Sequence, residues 1–446
     1  MSTKKKRNEK PVDTSQQRGL FINVRAGDHN KVKRFVKDRV VDVNEADHDD
    51  PRGVTAIILA SELGDVEMVK LLMKAQPKAA DVNAETVTGR RAIWWAAKIG
   101  NKELADQLLT DTTCEVNYID RETGCSPLYR AILTNKADVV RAILHAGGDV
   151  NLRKLGLSKG AETPLIKSVQ MDNIEICEML INSLCEKNTK TDDGLTALHY
   201  AVAYRRYAIC RLLLQEMVKI HARSNSGVTA LTVAIEQHNP AMVKILIENG
   251  YRLDRPYRWG EMPIQQAIAL HSQECAMTLA YWGCDLTQPA ALKNSKKRKP
   301  FSAFYLAVNE RLMSLARLLI DLHPWFLREE WLWEKDWPVS LYRRPLVRRW
   351  LKEQASTPRS LKSLCRSRIF RCLGLYAPHK AEQLPLPESL KRYLTFPEHI
   401  KDKFYEEIPL SQEGCPYDCE VACPLRTCPV VDISFSDDSD QDIEIW

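Results

Sequence analysis

The chain contains no unbroken run of about 18 apolar residues, the length that a membrane-crossing helix needs, and its most apolar stretches are interrupted by charge every few positions. Membrane insertion is therefore not expected. Also missing are a glycine-rich phosphate loop, an H-E-x-x-H pair and any nucleophile that the sequence sets beside a base. These absences argue against an enzyme, and neither a cofactor nor a resident metal is expected. No apolar leader precedes the thirteen cysteines, which are scattered through apolar helical patterns. A reducing compartment is the expectation, the cytoplasm first and the nucleus second. The net charge of +6 is modest for 446 residues, and the basic residues gather at 4–7, 296–299 and 343–349 instead of lining one helix face. Nucleic acid is accordingly not an expected partner.

What the chain does have is a recurring phrase. Thr196-Ala197-Leu198-His199 has counterparts beginning at Thr55, Arg91, Ser126, Thr163, Thr229, Met262 and Ser302, and the steps between second residues are 36, 35, 37, 33, 33, 33 and 40. Each unit carries the same grammar. In Asp193-Gly194-Leu195-Thr196-Ala197-Leu198-His199 a turn glycine leads into a short first helix, and Ala208-Ile209-Cys210-Arg211-Leu212-Leu213-Leu214 comes after it as a second helix, apolar at helical spacing. Two such helices cannot close a core alone, so the units must stack. Asp81-Val82-Asn83, Glu115-Val116-Asn117 and Asp149-Val150-Asn151 mark unit ends, and Asp42-Val43-Asn44 marks the end of a degenerate first unit.

A period near 33 with this grammar resembles ankyrin repeats. The expected fold is all-α: an ankyrin-repeat solenoid of helix-turn-helix units with hairpin loops, then a small helical box. The expected divisions are a basic flexible tail at 1–17, a degenerate capping repeat at 18–50, and about eight repeats at 51–326 with a basic insertion near 291–300. Next come a Trp/Arg-rich linker at 327–357, a helical box at 358–397, and a cysteine-containing acidic tail at 398–446. The insertion reads as a solvated loop, with nuclear import or a binding surface as alternatives. Trp325, Trp331, Trp333, Trp337 and Trp350 are costly to leave in water and are expected to pack the last repeat against the segment C-terminal to it.

Beyond the array, Ser360 can cap a helix that carries Leu361, Leu364, Cys365 and Ile369 on one side. Pro385 and Pro387 should hold Leu384-Pro385-Leu386-Pro387 extended, and residues 388–394 have the period of a final short helix. At these residues the chain resembles a SOCS box, and the whole resembles the ankyrin-repeat and SOCS-box protein family. That resemblance implies a substrate-recognition adaptor of a Cullin-RING ubiquitin ligase, itself without catalytic residues. Leu361, Leu364, Cys365 and Ile369 would meet Elongin C, which carries Elongin B. Leu384, Pro385, Leu386 and Pro387 would favour Cullin-5, which brings a RING-box protein. The docking side chains should then be exposed in the isolated chain.

An unidentified client protein would lie on the repeat face formed by the first helices and hairpin tips. Trp94, Trp95, Tyr129, Tyr200, Tyr204, Arg205 and Arg206 are the candidate anchors, because Trp, Tyr and Arg carry binding energy disproportionately. A packed structural role is equally open for Trp94 and Tyr129, and His199 reads as a turn-stabilising residue. Cys415, Cys419, Cys423 and Cys428 lack the paired C-x2-C spacing of common zinc sites. Ser436 and Ser439, each followed by aspartate, are phosphorylation candidates. The rival reading is an ankyrin scaffold that recruits no ligase.

Overall fold

Each recurring phrase opens a helix, and in four of the eight the side chain of the first residue caps it. Ser126, Thr163, Thr229 and Ser302 accept a hydrogen bond from the amide three residues on, and Pro127, Pro164 and Pro263 occupy the first turn, where a missing N–H costs nothing. Among the second helices, those that follow Asp65, Asn101, Asn173 and Asn239 are capped in the same way. A side-chain cap of this kind contributes about 1 kcal/mol.

The computed structural model describes residues 14–394 apart from 39–40, 77, 155–161, 255–261, 287–300, 334–336, 343, 358 and 374–376. The basic runs at 4–7 and 296–299, the insertion near 291–300, Cys415, Cys419, Cys423, Cys428, Ser436 and Ser439 lie outside the described residues.

Among the described residues, nine helix pairs succeed one another. They are α1 (Thr14–Arg25) with α2 (His29–Lys37), α3 (Ala56–Leu63) with α4 (Val66–Met73), and α5 (Ala92–Ile99) with α6 (Lys102–Leu108). Next come α7 (Pro127–Leu133) with α8 (Ala137–His145), α9 (Pro164–Gln170) with α10 (Ile174–Asn182), and α11 (Ala197–Ala203) with α12 (Tyr207–Gln215). The last three pairs are α13 (Ala230–Glu236) with α14 (Pro240–Glu248), α15 (Pro263–Ala269) with α16 (Gln273–Tyr281), and α17 (Ala303–Asn309) with α18 (Met313–Leu322). First helices pack on first helices and second on second, so the core is a continuous seam holding residues such as Leu72, Leu104, Ile143, Leu180, Leu213 and Leu246, all at 0% exposure.

From the second pair onward, the turn between paired helices uses one left-handed residue, always eight positions after the second residue of the phrase. Gly64 and Gly100 fill it first, then Asn135, Asp172, Arg205, His238, His271 and Arg311, with φ between 51° and 75°. Glycine takes this conformation freely, whereas a side chain resists it by roughly 1 kcal/mol. Turn geometry therefore overrides residue preference in six of the eight. A second left-handed position closes the second helix, filled by Gly147, Leu184, Met217, Gly250 and Gly283 in successive repeats.

The Val-Asn unit ends form a ladder. Asn44 donates to the Ala79 carbonyl (3.0 Å) and accepts from the Asp81 amide (2.6 Å), Asn83 does the same with Thr113 and Glu115 (both 2.8 Å), and Asn117 with Gly147 (2.9 Å) and Asp149 (2.7 Å). Asn151 and Asn188 continue it by accepting from Glu186 (2.8 Å) and Lys219 (2.7 Å). Each rung satisfies backbone groups that a packed loop would otherwise leave unpaired.

After α18 the chain makes three 3₁₀ turns, at Pro324–Arg328, Glu330–Leu332 and Val339–Leu341. Trp331 packs edge-on to Tyr305 (5.4 Å between ring centres) and Trp337 (5.8 Å) and lies 5.5 Å from Phe304, while Trp325 meets Phe326 at 5.9 Å. The aromatic segment thus packs against the last helix pair; Trp333 alone of the five is left largely in solvent, at 57% exposure. Four helices complete the described chain: α19 (Pro345–Ser356), α20 (Leu361–Leu373), α21 (Ala377–Glu382) and α22 (Glu388–Leu394).

Candidate docking surfaces

Helix α20 starts where its cap demands. The Ser363 amide donates to Ser360 Oγ at 3.2 Å, and the Leu364 amide to the Ser360 carbonyl at 3.1 Å. The helix is mounted on the last repeat by packing against α18 and by Arg359, whose guanidinium lies 3.4 Å from Asp321 with both side chains more than four-fifths buried. Arg366 stacks over Tyr393 at 4.6 Å, tying α20 to α22. The faces that remain carry Leu364 (45% exposed), Ile369 (39%) and the exposed Cys365. Leu361 opens the helix, and its side chain lies outside those described. Beside Leu364 an open groove of about 670 Å³ is walled by Trp325, Trp333, Arg328 and Arg359.

The prolyl element differs from the extended run expected of it. The Leu386 amide donates to the Leu384 carbonyl at 2.8 Å, a three-residue turn centred on Pro385. The reason is local: the φ that proline enforces is also that of the inverse γ-turn. Pro387 then starts α22, its carbonyl accepting from Leu390 (2.9 Å) and Lys391 (3.1 Å). Pro385 and Pro387 are exposed, whereas Leu384 and Leu386 are half-buried.

On the repeats, three of the seven candidate anchors prove to be core. Trp94 and Tyr129 are each 1% exposed and Trp95 5%. They cannot serve as contact side chains, because the neighbouring repeat covers the faces that a partner would need. The Tyr129 hydroxyl donates to Glu162 at 2.7 Å, and burial pushes the phenol well above its ordinary pKa. Arg206 is paired with Asp172 at 3.0 Å, and Arg205 donates to the Gln237 carbonyl at 3.1 Å from its left-handed turn. Tyr200 and Tyr204 stack at 6.4 Å with Tyr204 38% exposed, so these two and Arg205 remain at the surface.

His199 is indeed a turn residue. Its Nδ1 accepts from the Thr196 amide (3.1 Å), which leaves Nε2–H to donate to the Val228 carbonyl of the next repeat (3.2 Å). Burial lowers its pKa, favouring the neutral ring that this arrangement requires. Thr232 performs the same capping in the following repeat, with the Thr229 amide donating to its hydroxyl at 2.7 Å.

Sequence reasoning missed a basic line on the first helices. The third residue after the second position of the phrase is Trp95, Arg130, Lys167 and Tyr200 in four successive repeats, and Lys98 lies one helical turn beyond Trp95. Reading the repeats in register, rather than scanning for aromatic residues, would have found it.

The nine described cysteines are all free. Burial raises the thiol pKa of Cys177 and Cys185 to about 11 and of Cys210 to about 12, which withholds the thiolate that nucleophilic chemistry needs. Among the described residues no group of three or more His, Cys, Asp and Glu could hold a metal ion, and no helix is long and apolar enough to cross a membrane.

Comparison with known families finds a SOCS box at residues 357–395, ankyrin repeats (3 copies) at 77–154 and 152–224, and a further ankyrin repeat at 52–87. The chain is 29% identical over 140 residues to an ankyrin repeat protein of Fowlpox virus, covering 31% of this chain and 92% of the viral one. It is 44% identical over 59 residues to ankyrin repeat and SOCS box protein 9 of Mus musculus, a stretch that is 13% of this chain and only 20% of the mouse protein. The solved ankyrin repeat domain of Bcl-3 aligns with 54% of this chain and 99% of its own length, at a TM-score of 0.45 and 21% identity.

Proposed function

Because the chain belongs to the ankyrin-repeat and SOCS-box proteins, we propose that it is the substrate-recognition adaptor of a Cullin-RING ubiquitin ligase, working in the cytoplasm. In this reading the repeats hold a client protein. The segment matched at 357–395 holds Elongin C, and with it Elongin B, through Leu361, Leu364, Cys365 and Ile369. The turn at Leu384, Pro385, Leu386 and Pro387 selects Cullin-5, whose RING-box protein brings the charged ubiquitin-conjugating enzyme. The adaptor contributes placement: holding client lysines near the thioester raises their effective concentration and requires no catalytic group on this chain.

The observation that carries the reading is the apolar row on α20. Leu364 and Ile369 stay 45% and 39% exposed on a capped helix fixed to the last repeat. Water-facing apolar side chains on a rigid helix are the form of a surface that a partner covers.

The test is affinity purification with mass spectrometry of the full chain beside two variants, Leu361→Asp with Cys365→Asp, and alanine at all four of residues 384–387. Elongins B and C and Cullin-5 are expected with the wild type. The first variant should lose all of them, and the second the cullin alone. A folded wild type that recovers no ligase subunit would leave an ankyrin scaffold as the better description.

A further inference from the structure

We infer that the face around Trp94 and Trp95 docks an extended acidic segment of the client. This rests on the reading of the array as the client-holding part of an adaptor, and it adds the chemistry of the segment held.

Three cations converge on one pair of indoles. Arg90 Cζ lies 4.3 Å, Arg130 Cζ 5.0 Å and Lys98 Nζ 5.7 Å from the centre of the Trp94 ring, and Lys98 Nζ is 4.6 Å from that of Trp95. Like charges brought this close repel unless an anion answers them. Arg90 is answered twice, by Glu122 at 2.8 Å and by the buried Asp120 at 3.8 Å. Among the described residues, Arg130 and Lys98 have only the indole faces. Lys167, next in line on α9, is held by the neutral Gln170 at 3.0 Å. Glu162, which belongs to the same repeat as Lys167, already accepts from Tyr129 (2.7 Å) and from Gln170 (2.8 Å). Lys98 and Arg130 therefore stand over apolar rings as cations without an anion of their own among the described residues, and fit a partner that brings carboxylates.

Spacing makes the partner more specific. Arg130 and Lys167 occupy equivalent positions on neighbouring first helices, and packed helices lie about 8–10 Å apart. A polyproline-II segment, with three residues per turn at about 3.1 Å each, covers that distance in one turn. An acidic residue at every third position of such a segment places one carboxylate per cation, while the residues between face away. A nucleic-acid backbone is a poorer match, since its affinity is built from some 6–10 phosphate contacts and the line ends at Tyr200.

The test uses the full chain and two fluorescein-labelled peptides, (Glu-Ser-Gly)₄ and (Gln-Ser-Gly)₄, with binding read by fluorescence anisotropy. The glutamate peptide should bind saturably. Arg130→Gln and Lys98→Gln should each weaken it about tenfold, as should salt raised to about 0.5 M, while Lys33→Gln on the exposed face of α2 should leave it unchanged. Lys98 is exposed, so that variant stays informative should Arg130→Gln fail to fold. Equal binding of the glutamine peptide, indifference to both substitutions, an equal loss in Lys33→Gln, or tighter binding of a 12-nucleotide oligothymidylate would each overturn the inference. Elongin capture is measured on the same preparations. Intact capture with no peptide binding sinks this inference alone, whereas a folded wild type without capture sinks the adaptor reading beneath it.

Discussion

Leu213 on α12 and Leu364 on α20 are both leucines on amphipathic helices, yet one is 0% exposed and the other 45%. The difference is one of neighbours. In the array, each helix pair has another pair on one or both sides, and the same register positions meet across every boundary. The helices after the array pack on one another and on α18, but nothing in the described chain covers Leu364, Ile369 or Leu390, the last at 46% exposure. The array closes its own core, whereas the helices after it leave part of their apolar surface uncovered.

That contrast can be broken most directly by substituting the two leucines. Leu213→Ala should cost about 2–5 kcal/mol, the range for emptying a packed leucine site, and lower the thermal midpoint by several degrees. Leu364→Asp should change stability by about 0.5 kcal/mol or less while abolishing Elongin capture. Calorimetry on both variants decides it: equal losses would mean that α20 is core and the contrast is wrong.

A smaller effect sharpens the account of the array itself. His199→Ala removes a cap and an inter-repeat hydrogen bond and should cost about 1–2 kcal/mol. The wild type should also carry an acid-sensitive increment. His199 has a lowered pKa when folded, so below about pH 6.5 the unfolded chain takes up a proton that the folded one refuses, and stability falls as the pH drops. His199→Thr, copying Thr232, should flatten that slope between about pH 6.5 and 5 in urea titrations. An unchanged slope would assign the acid sensitivity elsewhere.

The smallest effect should be a gain. Met217 is 88% exposed and left-handed where Gly147, Gly250 and Gly283 stand in other repeats. Met217→Gly should relieve strain and stabilise the fold by about 0.5–1 kcal/mol, the flexibility of glycine in the unfolded chain offsetting part of the benefit. A fall in the denaturation midpoint would show that Met217 makes a contact its exposure does not suggest.

The parts of this structure legible from the amino-acid order were those with a period. The recurring Thr-Ala-Leu-His phrase located the first helices, and Ser360 located the start of α20, because caps and apolar spacing act over three or four residues. The depth of Trp94, Trp95 and Tyr129 was not legible in the same way, since a repeat some 33–37 residues away decides whether an aromatic ring is covered. The turn at Pro385 was missed for a different reason: proline fixes φ and leaves ψ free, so an extended run and a γ-turn begin alike. Nor does anything local mark Arg205, His238 or Arg311 as left-handed. Only their alignment with Gly64 and Gly100 does.

The asparagine ladder has a consequence for descent. Each rung joins equivalent positions in adjacent repeats, so losing or duplicating one whole repeat rejoins like with like, whereas losing part of one strands a rung. Asn83 and Asn117 each reach 32 residues ahead and Asn151 reaches 35, so the extra residues of that step fall between rungs and leave the bond that each asparagine oxygen accepts in place. The heritable unit is therefore the entire helix pair with its loop, and the loops between rungs are where lineages can lengthen without disturbing the stack.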